Sequence, residues 1–187
     1  EADVSGWMLD VGEALAIGRS IGDRVLIIST STGATLAAAA ALDDVLMKNV
    51  GGFIFVSPNF GINSWAANLL TWPFARQFLP LILGKNHISE PRNASHARYW
   101  TTTYPTTALL PMAAIVKTVM QADFSRVNVP ALFYYSIDDL VVDTSKTARF
   151  ASGWGGRVTI LHPQLGAGDD KYAHVIAGDI VSPRQTD

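Results

Sequence analysis

The chain is 187 residues long, carries 14 basic against 16 acidic residues for a formal net charge of -2, and is 49% hydrophobic. That is enough apolar material for one well-buried core and too much for a disordered segment, and without a run of Lys or Arg the electrostatic footprint of a nucleic-acid binder is missing. With no cysteine in the sequence, disulfides, a thiol nucleophile and a cysteine-ligated zinc site are excluded.

In chain order, Val11, Leu15, Ile17 and Ile21 among small residues predict a helix over residues 10–21, closed by Gly22 and Asp23. Val25 to Thr30 then reads as a strand, apolar on both faces as befits a central parallel strand covered by helices. The alanine-rich run behind it predicts a helix over 34–47. Residues 25–42 carry no charge over nearly a membrane-spanning length, but their Ser-Thr-Ser-Thr-Gly centre fits strand plus helix better, so no membrane span is expected. A second strand over 52–57 ends at Pro58. Strand, helix and strand within about thirty residues form a βαβ unit, which makes the sheet parallel.

Residues 59–125 break the alternation. They are rich in aromatics and proline, with helical patches at 65–84 and 107–121 on either side of a polar stretch, 85–98. A helical insertion on the top edge of the sheet is expected there. The alternation resumes with a third strand over 129–136, the acidic pair Asp138 and Asp139, and a helix over 144–154 capped by Asp143 or Thr144. A fourth strand over 157–162 follows. A loop through Gly166, Gly168, Asp169 and Asp170 then leads to His174, just before an apolar helical start. The fold class is thus α/β with a mostly parallel sheet, its core made by residues 1–58 and 126–187 and its insertion by 59–125.

The most informative stretch is the sharp passage from the first strand into its helix. A strand-to-helix turn can hold one side chain on strained backbone at a helix N-terminus, and the pattern is small-x-nucleophile-x-small because bulky flanks would collide. Centred on Ser31 the flanks are Ser29 and Gly33; centred on Ser29 the leading flank would be Ile27, which is large and β-branched. Ser31 is therefore the candidate nucleophile. Ser29 departs from the commoner glycine at the first small position.

A serine nucleophile needs a base to take its proton and a carboxylate to orient that base. Here a serine follows the first strand, a carboxylate the third and a histidine the fourth. That order, with the segments Ser136-Ile137-Asp138-Asp139-Leu140-Val141-Val142 and Asp170-Lys171-Tyr172-Ala173-His174-Val175, resembles the α/β-hydrolase superfamily, esterases and lipases with a helical cap. The resemblance extends over most of the chain and assigns residues 59–125 to the cap. It implies a triad of Ser31, Asp139 and His174, with Asp138 the rival acid one residue earlier, and the backbone N–H of Thr32 as one oxyanion donor. His87, His96 and His162 fit the histidine role less well. The implied activity is hydrolysis of carboxylic esters with an apolar acyl group, through an acyl-enzyme, with neither metal nor organic cofactor expected. Thioesterase or peroxidase-like chemistry on the same triad, and a non-catalytic ligand-binding homologue, are the alternatives.

One part of that family pattern is missing. Its sheet has strands before the nucleophile strand, and one of their loops gives the second oxyanion N–H, whereas the residues before Val25 read as a single helix. The first strand is therefore expected to have an unpaired apolar edge. A partner is expected on that ground: an N-terminal chain or segment of the same protein that completes both the sheet and the oxyanion hole.

Overall fold

The computed structural model describes residues 2–185. Helix α1 (Val4–Ile21) begins six residues before the predicted start, because the Asp3 side chain caps it by accepting the Gly6 N–H at 2.8 Å. After a turn at Gly22 the chain enters β1 (Val25–Thr30) and passes at Ser31 directly into α2 (Thr32–Ala40). The helix is shorter than the predicted 34–47. Its continuation is broken by Asp43, whose carboxylate gathers the Val45 and Leu46 N–H groups into a local turn. Strand β2 (Val50–Val56) follows.

The segment after β2 is less uniformly helical than the sequence implies. A 3-10 turn at Trp65–Thr71 is separated from α3 (Ala75–Leu83) by Pro73 and by Phe74 at φ 62°, so no single helix runs over 65–84. In and just beyond the stretch expected to be polar, 85–98, β3 (Asn86–Ile88), α4 (Ala94–Tyr99) and β4 (Thr103–Pro105) form, with β3 and β4 antiparallel. Helix α5 (Leu109–Gln121) closes the segment. Its Ile115 and Val119 belong to the main core cluster, so the 59–125 boundary takes in one helix that packs with the sheet layer. Then come β5 (Ala131–Tyr134), α6 (Thr144–Ser152) and β6 (Val158–Leu161). The helical start expected after His174 does not form: residues 174–182 run in turns, and the next regular element is a 3-10 turn at Pro183–Gln185.

The main sheet has the order β1-β2-β5-β6 and is parallel throughout. Its register decides where chemistry can gather. Thr30 lies beside Val56, Val56 beside Tyr134 and Tyr134 beside Leu161, so the C-terminal ends of all four strands finish in one row. The ladder runs one residue further, through N–H bonds from Ser31 to Val56 O, from Ser57 to Tyr134 O and from Tyr135 to Leu161 O. Loops leaving that row must share one rim.

The two faces of the sheet differ. On one, Phe53, Phe55 and Phe133 are at most 1% exposed and pack with Phe60, Phe124, Phe150 and Trp154 under the helices. Each such side chain contributes about 1.5–3 kcal/mol of burial. On the other, Leu26 and Ile28 of β1 are 56% and 67% exposed and Leu161 of β6 is 50% exposed. The prediction of a first strand covered on both faces is corrected accordingly. Strand β1 sits at the edge of the sheet with one face open.

Candidate active site

Ser31 stands at the tightest point of the β1–α2 passage. Its φ of 52° and ψ of -121° lie in a region that non-glycine residues rarely enter, at a cost of about 1–3 kcal/mol. The backbone on both sides holds it there: the Ser31 N–H continues the sheet to Val56 O at 3.0 Å, and the Ser31 carbonyl accepts N–H bonds from Ala34 at 3.1 Å and Asn59 at 3.0 Å. Asn59 itself is buried, its carbonyl accepting from Thr35 Oγ1 at 2.5 Å and its Nδ2 lying 3.3 Å from Thr32 Oγ1. Thr32 opens α2, so its N–H is among the four that no intrahelical carbonyl reaches. The crowding invoked for the flanks is only half present. Ser29 is inward, its hydroxyl buried without a hydrogen-bond partner, whereas a Cβ added at Gly33 would meet nothing within 4 Å. Gly33 faces a groove of about 280 Å³ beside Val11, Leu15 and the length of β1.

The loop after β5 brings in the acid. Asp139 is buried; its Oδ1 accepts the N–H groups of Val141 and Val142 at 2.8 and 3.0 Å, and its Oδ2 lies 2.8 Å from His174 Nδ1. Asp138 is exposed on the same turn. The turn is braced from behind by the strand-like segment after β2, where Ile62 bridges Val142, the Asn63 N–H reaches Val141 O at 2.9 Å and the Asp143 N–H reaches Gly61 O at 2.8 Å.

The loop after β6 supplies the histidine. His174 Nε2 is 3.0 Å from Ser31 Oγ, which closes a line from a buried carboxylate through an imidazole to a half-buried hydroxyl. With a carboxylate facing Nδ1, that nitrogen carries the proton and Nε2 is the acceptor, which is the tautomer a base needs. The residue before it, Ala173, has φ 52°. Asp170 holds this loop, accepting N–H bonds from Tyr172, His174 and Val175 at 2.8, 3.2 and 2.7 Å. Burial works against its charge, but the Val175 and Tyr172 N–H groups and the Arg92 guanidinium outweigh that and hold its carboxyl below the usual carboxylate range. The other histidines are elsewhere: His162 Nδ1 lies 2.7 Å from Tyr135 O, His87 packs on Tyr104, and His96 accepts the Arg92 N–H at Nδ1.

Sequence reasoning named Ser31, Asp139, His174 and Thr32, and the fold brings these four to one rim. It missed Asn59 and the roles of Asp170 and Arg92. A carboxylate four residues before a histidine is a local signal for a side chain that folds back onto its own loop, and could have found Asp170. No short-range pattern points to Arg92. Among the described residues, no group of three or more His, Asp or Glu side chains is placed to hold a metal ion, and no helix is long and apolar enough to cross a membrane.

An all-parallel sheet with helices packed on it, and a polar cluster at the carboxyl ends of its strands, defines the class as an α/β protein. Comparison with solved structures narrows this: the fold is that of the α/β-hydrolases. A structure from work on LipS and LipT, two metagenome-derived lipolytic enzymes, superposes with a TM-score of 0.67 at 16% identity over 98% of this chain and 69% of the other. A lipase-esterase related protein from Clostridium acetobutylicum gives 0.62 at 12% identity over 98% and 72%. Monoacylglycerol lipase from Paleococcus ferrophilus gives 0.61 at 13% identity over 86% and 65%. The chain thus spans about two thirds of the length of these proteins. No protein-family model matches the chain, and no curated protein sequence does.

Proposed function

We propose that this chain carries the acyl-transfer centre of a serine hydrolase that cleaves carboxylic esters. The observation that carries the reading is the unbroken line from Asp139 Oδ2 to His174 Nδ1 at 2.8 Å and from His174 Nε2 to Ser31 Oγ at 3.0 Å. Nε2 takes the hydroxyl proton as Ser31 Oγ attacks the ester carbonyl, and Asp139 stabilises the imidazolium that results. The same proton is then given to the leaving alcohol, so its departure leaves an acyl group on Ser31 Oγ. Water, deprotonated by the same imidazole, releases the acid and restores the serine. The tetrahedral oxyanion forms beside the start of α2, where the Thr32 N–H is a free donor and the helix dipole favours negative charge. The test is hydrolysis of p-nitrophenyl esters of graded acyl length: Ser31→Ala is expected to lower kcat by about 10³-fold or more without unfolding the chain, and retained turnover would remove Ser31 from the mechanism.

We also assign residues between β2 and β5 to a cap over this centre, and the free edge of β1 to a further strand from an N-terminal chain or segment of the same protein. What supports the second assignment is the place of β1 as the outermost strand, paired only with β2, together with the unfilled groove beside Gly33, since an open apolar edge is a liability in water. A strand on that edge also brings a loop to the rim that can give the second oxyanion N–H. Backbone hydrogen exchange tests this: with that segment present the β1 amides turned away from β2 should exchange as slowly as those bonded to it, and fast exchange there in its presence would leave the edge unpaired.

A further inference from the structure

The loop that delivers His174 is held by a charge that acyl transfer does not use. Asp170 has a side chain only 1% exposed, and its two oxygens are taken up by the backbone N–H groups of residues 172, 174 and 175. Its own N–H donates to Ser182 Oγ at 3.1 Å, and that hydroxyl donates to Val175 O at 2.5 Å, which closes the loop on itself. Inside this ring sits Ala173 at φ 52°, a conformation an alanine keeps only where its surroundings impose it. The arrangement needs Asp170 ionised, and a buried carboxylate needs a counter-charge.

That counter-charge comes from a distant part of the chain. Arg92, between β3 and α4, forms an ion pair with Asp170 Oδ1, and its guanidinium lies 5.1 Å from the centre of the Tyr172 ring. Its neighbour Asn93 caps α4 by accepting the His96 N–H at 2.8 Å, while Asn93 Nδ2 donates to Ile180 O at 2.7 Å. One tip of the segment between β2 and β5 therefore grips the histidine loop before His174, at Asp170 and Tyr172, and again after it, at Ile180.

Resting on the reading of His174 as the general base, we propose that Arg92 is a positioning residue which makes the alignment of His174 on Ser31 conditional on the β3–α4 tip being seated. With Arg92 in place, Asp170 stays charged and buried and the 172–175 backbone is fixed. With the tip withdrawn, Asp170 is an unpaired buried charge, its ring of N–H bonds opens toward water, and Ala173 relaxes. His174 then loses its aim, while Ser31 and the Thr32 N–H, held by the sheet and the start of α2, stay in place. Seating of the tip thus governs kcat more than KM.

The test uses the full chain with three variants. Arg92→Met keeps length and removes charge, Arg92→Lys restores charge without the planar fork, and Asp170→Asn removes the charge at the other end. Misplacing a catalytic group by about 1 Å costs up to roughly a hundredfold, so Arg92→Met should lower kcat on a p-nitrophenyl ester by about tenfold or more with KM within about twofold. Arg92→Lys should recover part of the loss, and Asp170→Asn should match or exceed Arg92→Met. Amides of Tyr172, His174 and Val175 should exchange faster in Arg92→Met while those of β2 and β5 do not. A kcat within twofold of the parent, an effect on KM alone, or exchange accelerated equally in β2 and β5 would each overturn the proposal. If the parent chain turns over no ester, the hydrolase reading fails on its own, and the exchange pattern still decides whether Arg92 holds the loop.

Discussion

Ser31 and His174 meet across 3.0 Å, yet they are kept in place by different physics. The serine is held by main chain: a sheet bond to Val56 on one side and a helix start on the other fix its backbone at φ 52°. The histidine is held by side chains, through a buried carboxylate four residues away and an arginine from another part of the fold. Both turns store strain, at Ser31 and at Ala173. The difference teaches that a nucleophile placed by a strand-to-helix turn inherits the rigidity of the sheet, whereas a base placed by a loop after the last strand has to be fastened separately.

The comparison can be broken hardest at the acid, which is fastened in both ways. Asp139 uses Oδ1 on the backbone of its own turn and Oδ2 on His174, while Asp138 is exposed. Asp139→Asn is therefore expected to lower kcat by about 10³–10⁴-fold, and Asp138→Asn by less than about twofold, in steady-state ester hydrolysis. Equal damage from both would mean that the line to His174 is not what activates the serine.

Acidification sharpens the comparison more gently, because it acts on the histidine loop and leaves the serine turn alone. The carboxyl of Asp170 is held below its ordinary value in the folded chain, despite its burial, by the Val175 and Tyr172 N–H groups and by Arg92. Asp143 is depressed as well, chiefly by the Ser145 hydroxyl. A depressed carboxyl contributes stability that is fully present above its unfolded value of about 3.9 and is lost as pH falls through the folded value. The urea midpoint should thus be flat from about pH 7 to 5 and fall below about pH 4, and Asp170→Asn should flatten that fall.

How much of this was legible in the sequence follows the same division. The βαβ rhythm and the Ser31 turn are written in short-range patterns, with a run of β-formers, a small polar knot and an alanine-rich helix, and local structure follows local sequence there. Asp139 and His174 were legible through their order after successive strands, because parallel register puts strand ends in one row. Within 59 to 125 the helical patch over 107–121 was legible as α5, and the stretch before it was not. Its short elements β3, α4 and β4 take their shape from tertiary contacts, such as the Asn93 bond to Ile180, that no window of a few residues contains. The open face of β1 was misread for a related reason: Leu26 and Ile28 have the hydrophobicity of buried positions, and hydrophobicity records what a strand is suited to pack against.

The central claim is that Ser31 Oγ is made nucleophilic by His174. A fluorophosphonate reacts with a serine so activated and leaves ordinary hydroxyls alone, so mass mapping of the labelled chain reads the claim directly. One adduct is expected, on the peptide containing Ser31, formed in the parent chain and strongly suppressed in Asp139→Asn. Folded parent protein that stays unlabelled, or that carries the adduct on another serine, would contradict it.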